Sequence, residues 1–215
     1  MKPLHAFAFF ACGTATLMLL YGNELLLFGL LAGMSLFALS LDGWKETKRF
    51  LLAMLIGGLC ENIAVMCGAW RYADANFMFA PLWLPVGWGM AVVLIDSMAG
   101  DGERDGNAGF SKRALVMSLA GTLMVGAMFR QELLVLLGFA IVTIALFLSG
   151  YYKKSELRAG IYAAALGTTM EALCIMAGNW HYSVSMLRIG DFAGVPLWLP
   201  LCWFNAFLIM RRIAK

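Results

Sequence analysis

Apolar residues in this chain come in long unbroken runs rather than in alternation. Eight runs stand out, approximately Leu4–Tyr21, Leu25–Leu41, Phe50–Trp70, Pro81–Met98, Ala114–Met128, Leu133–Tyr151, Gly160–Trp180 and Pro196–Met210. A helix that crosses the bilayer core needs about 20 apolar residues. The eight runs reach or approach that length. Backbone groups in lipid must find partners within the protein, so each run predicts a helix and not a strand of an open sheet. The expected fold class is an all-α polytopic membrane protein with eight transmembrane helices.

The polar stretches between the runs sort by charge. Lys2, the Lys45–Arg49 loop, the Arg104–Arg113 loop, the Lys153–Arg158 loop and the tail from Arg211 hold 13 of the 16 basic residues. The alternate side holds Arg71, Arg130 and Arg188. The positive-inside rule then places both termini in the cytoplasm. A plasma membrane, bacterial or archaeal, is the expected location.

One pattern occurs twice. Glu61–Tyr72 reads ENIAVMCGAWRY and Glu171–Tyr182 reads EALCIMAGNWHY, identical at five of twelve positions. PLWLPVGW from Pro81 and PLWLPLCW from Pro196 follow, identical at six of eight. Glu24 and Glu132 open the second and sixth helices in the same way. The chain therefore reads as a duplication: a four-helix repeat over 1–99, a polar, glycine-rich cytoplasmic linker over 100–113, and a second four-helix repeat over 114–215. Four helices per unit preserve orientation. The two units should lie parallel, about a pseudo-twofold axis along the membrane normal.

Composition agrees with this placement. The chain is 62% hydrophobic and 13% charged, against about 25% charged in soluble domains. The net charge of +3 reflects the basic loops, and no nucleic-acid partner is expected. Cys12, Cys60, Cys67, Cys174 and Cys202 fall in apolar runs without a CxxC pair; they read as reduced packing residues. The run around Cys12 continues past it, so the N-terminus reads as a retained span.

Glu61 and Glu171 are the candidate chemical groups. Each falls near the middle of its predicted span, where a charge costs several kcal/mol unless paired or wet. Gly57 and Gly68, with Gly167 and Gly178, put small residues on the carboxyl face, and small residues let helices approach closely. Helices three and seven are expected to pack near the axis, both carboxyls facing one cavity. Such a pair can share a proton or donate one to an apolar substrate; alternatively it serves as hydrogen-bonding glue between helices.

Trp88 and Trp203 lie deep enough to line a cavity and to stabilise a cation through their ring faces. Trp70, Tyr72, Trp180 and Tyr182 end the third and seventh helices; an interfacial aromatic belt accounts for them, or contact with a bound molecule does. Arg71 and His181 occupy equivalent places beside Glu24, Glu132, Arg130, Asp74, Arg188 and Asp191, either over a cavity mouth or as solvated loop ends. Pro81 and Pro196 suit a first helical turn, with Pro85 and Pro200 bending the backbone one turn later. Asp96 breaks the duplication and is expected to cap a helix end. Neither His5 nor His181 has a partner at ligand spacing, so no metal is expected, and no cofactor motif is present.

The repeated GxWxY ending, Gly68, Trp70 and Tyr72 with Pro85, and Gly178, Trp180 and Tyr182 with Pro200, resembles the tandem units of the intramembrane lycopene-type cyclases and related terpenoid cyclases and hydratases. That resemblance implies an apolar isoprenoid substrate and acid chemistry. The family carries paired acids after the proline, where this chain has Val86-Gly87 and Leu201-Cys202. Glu61 and Glu171 would have to act in their place.

Three functions fit these residues. The first is a membrane protein that binds, and transforms by protonation, an isoprenoid or lipid. The second is a small proton-coupled transporter, and the third a non-catalytic assembly subunit. Expected partners are a membrane lipid or apolar small molecule, with a second copy or a membrane protein beside it.

Overall fold

The computed structural model describes residues 1–75, 78–100, 112–148, 154–184, 187–189 and 193–213. Eight helices run in order: α1 (Pro3–Leu20), α2 (Glu24–Leu41), α3 (Thr47–Met66), α4 (Leu84–Ala99), α5 (Lys112–Met128), α6 (Glu132–Leu148), α7 (Lys154–Met176) and α8 (Leu199–Ile213). Four short strands were not expected: β1 (Trp70–Tyr72), β2 (Trp180–Tyr182), β3 (Leu187–Ile189) and β4 (Ala193–Val195). Residues 101–111 of the predicted linker, the side chain of Arg188, and Asp191 lie outside the described residues.

The molecule is an integral membrane protein. α1, α2, α3 and most of α7 are long and apolar enough to cross a bilayer. The other four helices have 15 to 17 residues, roughly 22–26 Å at 1.5 Å per residue, and are shorter than these.

α4 and α8 form the centre. Every residue of α4 from Gly89 to Ser97 is buried, as befits a helix that is apolar on all sides. α3 packs on α4 and α5, while α7 packs on α8 and α4. α1 and α2 flank α4; α5 and α6 flank α8. Leucines such as Leu19, Leu25, Leu55, Leu133 and Leu137 point outward and exposed, toward the lipid that replaces water as solvent for this surface. α3 and α7 were expected to meet at an axis. The helices that carry Trp88 and Trp203 sit between them instead.

α3 and α7 stop earlier than their apolar runs. Gly68 and Gly178 take φ of +85° and +81°, a left-handed conformation that glycine adopts without penalty. The amide of Ala69 donates to Ala64 O and that of Gly68 to Val65 O; Asn179 and Gly178 repeat this toward Cys174 and Ile175. This Schellman closure satisfies the last carbonyls and turns the chain. The expectation that these glycines form a packing face is thereby corrected: they end the helices.

The turned segments become β1 and β2, which pair antiparallel with Trp70 opposite Tyr182, Arg71 opposite His181 and Tyr72 opposite Trp180. Ala73 N donates to Asn179 O at 2.9 Å and Ser183 N to Ala69 O at 3.0 Å. The short ribbon closes one end of the bundle. α4 and α8 also begin later than expected, at Leu84 and Leu199. Pro85 and Pro200 therefore occupy the first turn, where a missing amide costs nothing, and bend no helix.

The opposite end is held by ions. Asp96, 2% exposed, pairs with Arg49 of α3 and Arg211 of α8. It is a junction between the two halves of the chain, not the simple cap expected. Glu46 also holds Arg49 at 2.6 Å, Glu156 holds Arg212 at 2.6 Å, and the terminal amine of Met1 meets Asp42 at 2.7 Å. Removing one partner of a buried ion pair leaves an uncompensated charge. Asp96→Ala is therefore expected to destabilise by about 3–5 kcal/mol, read as a lower midpoint of thermal unfolding in detergent; an unchanged midpoint would show that the junction is solvated.

Candidate functional site

Glu61 and Glu171 each lie five residues before the last residue of their helix, on α3 and α7. That is about 8 Å from the helix end, not the middle of the span, because the glycine turn cuts each helix short. The turn also folds β1 and β2 back over the carboxyls.

Each carboxyl collects three donors. At Glu61, Trp70 Nε1 and Tyr72 Oη donate to Oε2 at 3.0 Å each, and Trp88 Nε1 donates to Oε1 at 3.2 Å. At Glu171, Trp180 Nε1 donates to Oε2 at 3.4 Å, Tyr182 Oη donates to the same oxygen, and Trp203 Nε1 donates to Oε1 at 2.9 Å. An indole nitrogen can only donate, so four of these six bonds require the carboxyl to accept. Both oxygens of both carboxyls are thus engaged. The structure places Trp70, Tyr72, Trp180 and Tyr182 as fixed ligands of these acids.

The indoles of Trp88 and Trp203 stack on each other, with centroids 5.0 Å apart and planes 20° from parallel. Gly57 and Gly167 let them in. A Cβ on Gly57 would lie 2.4 Å from Trp88 Cγ, and one on Gly167 would lie 2.2 Å from Trp203 Cδ2. Each ring therefore touches its mate and a glycine, and one face is spent on the stack. Arg71 and His181 face each other in the ribbon register but are exposed; they line neither of the two cavities beside the carboxyls. Glu24 and Glu132 are not loose loop ends. They accept from Leu82 N at 3.3 Å and Leu197 N at 3.0 Å, at the helix N-termini that favour negative charge.

Two cavities flank this layer of carboxyls and indoles. One, of about 90 Å³, lies among α3, α5, α6 and α8; the other, about 70 Å³, lies among α1, α4, α7 and Leu31 of α2. One water needs roughly 10–15 Å³ on such a measure, so each holds several heavy atoms. Glu61, Trp70, Trp88, Glu171, Tyr182 and Trp203 border both. Their far walls differ. The larger presents Cys60, Ser118, Thr122 and Asn205, where the smaller presents Met170, Phe10, Thr14 and Met90. Among the described residues, no basic side chain lines either one, and no group of His, Cys, Asp and Glu could hold a metal ion.

Sequence reasoning named the acids and the deep tryptophans but missed two others. Trp83 and Trp198 are each 2% exposed and line the smaller and larger cavity respectively. It also missed the α1 and α5 walls, although Gly13-Thr14 and Gly121-Thr122 recur at the spacing that relates Glu24 to Glu132.

No family model and no curated protein matches the chain. Two solved structures share its fold: a mycobacterial Insig homologue, MvINS from Mycobacterium vanbaalenii, and a cross-linked trimer of an MvINS variant. Each is 20% identical, covers 78% of this chain and 92% of its own, with a TM-score of 0.59. The likeness is one of fold.

The donor arrangement predicts distinct costs for two substitutions. Glu61→Gln turns one oxygen into an amide donor facing donors, and should lower stability by about 1–3 kcal/mol. Glu61→Leu orphans three donors and should cost more. Equal midpoints for both variants in thermal unfolding would contradict this geometry.

Proposed function

We propose that this protein binds a neutral apolar molecule within the membrane, in the paired cavities beneath the β1–β2 ribbon. The observation that carries this reading is the pair of cavities itself, walled by aromatic and aliphatic side chains and bordered by both carboxyls. Pockets for small apolar ligands have this make-up: mostly hydrophobic, with few polar groups. The carboxyls serve as anchors that fix six ring donors.

In the same reading the two halves are parallel four-helix repeats about an axis along the membrane normal. Each cavity is then the other's symmetry mate, made from three helices of one repeat and the third helix of the other. The equivalent bonds at Glu61 and Glu171 support this. The basic end of the bundle faces the cytoplasm of a prokaryotic cell, with both termini there. MvINS has been captured as a cross-linked trimer, and self-association of this chain is part of the proposal.

The test is to extract the purified protein with organic solvent and identify the bound molecules by mass spectrometry. Gly121 borders the larger cavity and Gly87 the smaller, and a Cβ at either has ordinary contacts. Wild type should yield an apolar species in stoichiometric amount, and Gly121→Leu with Gly87→Leu should lose most of it. Equal yields from both proteins, or no species above a detergent blank, would overturn the binding reading.

A further inference from the structure

Six tryptophans surround the cavities, and the structure divides them into two kinds. Trp70, Trp88, Trp180 and Trp203 donate to Glu61 and Glu171. Trp83 and Trp198, which occupy matching places in the two PLWLP motifs, donate to nothing: each has a buried Nε1 without a partner. A buried donor left without an acceptor is destabilising. The chain carries that cost twice, at equivalent positions, once in the wall of each cavity.

We propose that these two indoles are the ligand's polar recognition groups, and that the ligand is a neutral lipid carrying a carbonyl or ether oxygen, one such oxygen held in each cavity. The inference rests on the binding function proposed above and narrows its chemistry. An indole N–H only donates, so the group that meets it must accept. A bare hydrocarbon leaves both donors orphaned. An anionic head would meet two carboxyls bordering the cavities and no Lys, Arg or His in their walls. An ammonium head is itself only a donor, so it would leave both indole N–H groups unmet. A neutral acceptor oxygen on an apolar body meets all of these conditions.

The neighbouring side chains fix the two indoles in place. Trp83 packs edge-on to Tyr72, centroids 6.4 Å apart, and Trp198 edge-on to Tyr182 at 5.8 Å. Each of those tyrosines is tied to a glutamate. The carboxyl anchors thus hold the recognition tryptophans through a second ring.

The experiment uses the full chain in detergent with three matched probes: methyl undecyl ketone, n-tridecane and tridecanoate. Binding is measured by equilibrium partition and mass spectrometry. The ketone should bind about tenfold more tightly than the alkane, the value of one recovered hydrogen bond of some 1.4 kcal/mol, and the carboxylate more weakly than the ketone. Trp83→Phe with Trp198→Phe should erase the ketone preference while the alkane still binds, which also shows that the variant is folded. In wild type, ultraviolet resonance Raman should show an indole N–H band shifted on adding ketone and not alkane, with no substitution needed. Equal binding of ketone and alkane, tighter binding of the carboxylate, or an unshifted indole band would overturn this inference while leaving apolar binding intact. Failure of all three probes to bind would instead sink the binding function itself.

Discussion

A carboxyl group half-buried near the end of a helix must be answered by donors, and this molecule answers each with three. That requirement organises the cavity end of the bundle. Glu61 and Glu171 can be satisfied only if the chain turns sharply after α3 and α7, and the glycines at 68 and 178 supply the turn. The turn brings Trp70 and Tyr72, and Trp180 and Tyr182, back over the acids. The same geometry leaves two short strands side by side, whose pairing closes the bundle. From the other side Trp88 and Trp203 complete each set of donors, and they fit only because Gly57 and Gly167 present no Cβ.

The opposite end works by a different rule. There charges answer charges, with Asp96 between two arginines from different halves of the chain. Such a junction contributes little net stability relative to an apolar one, but it penalises any slip of α8 against α4. One end of the molecule is thus fixed by directional hydrogen bonds and the other by ion pairs. The space between them is apolar and incompletely filled, a suitable arrangement for holding a guest without collapsing onto it.

Much of this was legible from residues alone. Apolar runs gave the number and order of helices, since lipid-facing and core-facing positions are both apolar. The duplicated Glu, Gly, Trp and Tyr marked the residues that meet. Other features were hidden for physical reasons. The segment WRY after α3 is as apolar as a helix end, so the strand was invisible without the positive φ at Gly68. The same glycine, read at helical spacing, looked like a packing residue. Asp96 finds Arg211 across more than a hundred residues of chain, a contact that no local pattern encodes. Trp83 and Trp198 lie nearer the start of the PLWLP runs than Trp88 and Trp203 do, and so looked too shallow to line a cavity. Whether an indole finds an acceptor depends on helix rotation and depth, which the sequence leaves open.

The most direct measurement is an experimental density map of the protein purified from its own membranes. The account predicts non-protein density in both cavities, approaching Trp83 and Trp198 Nε1 to about 3 Å, the distance of a hydrogen bond. Cavities that are empty, or closed by movement of the indoles onto protein acceptors, would contradict it.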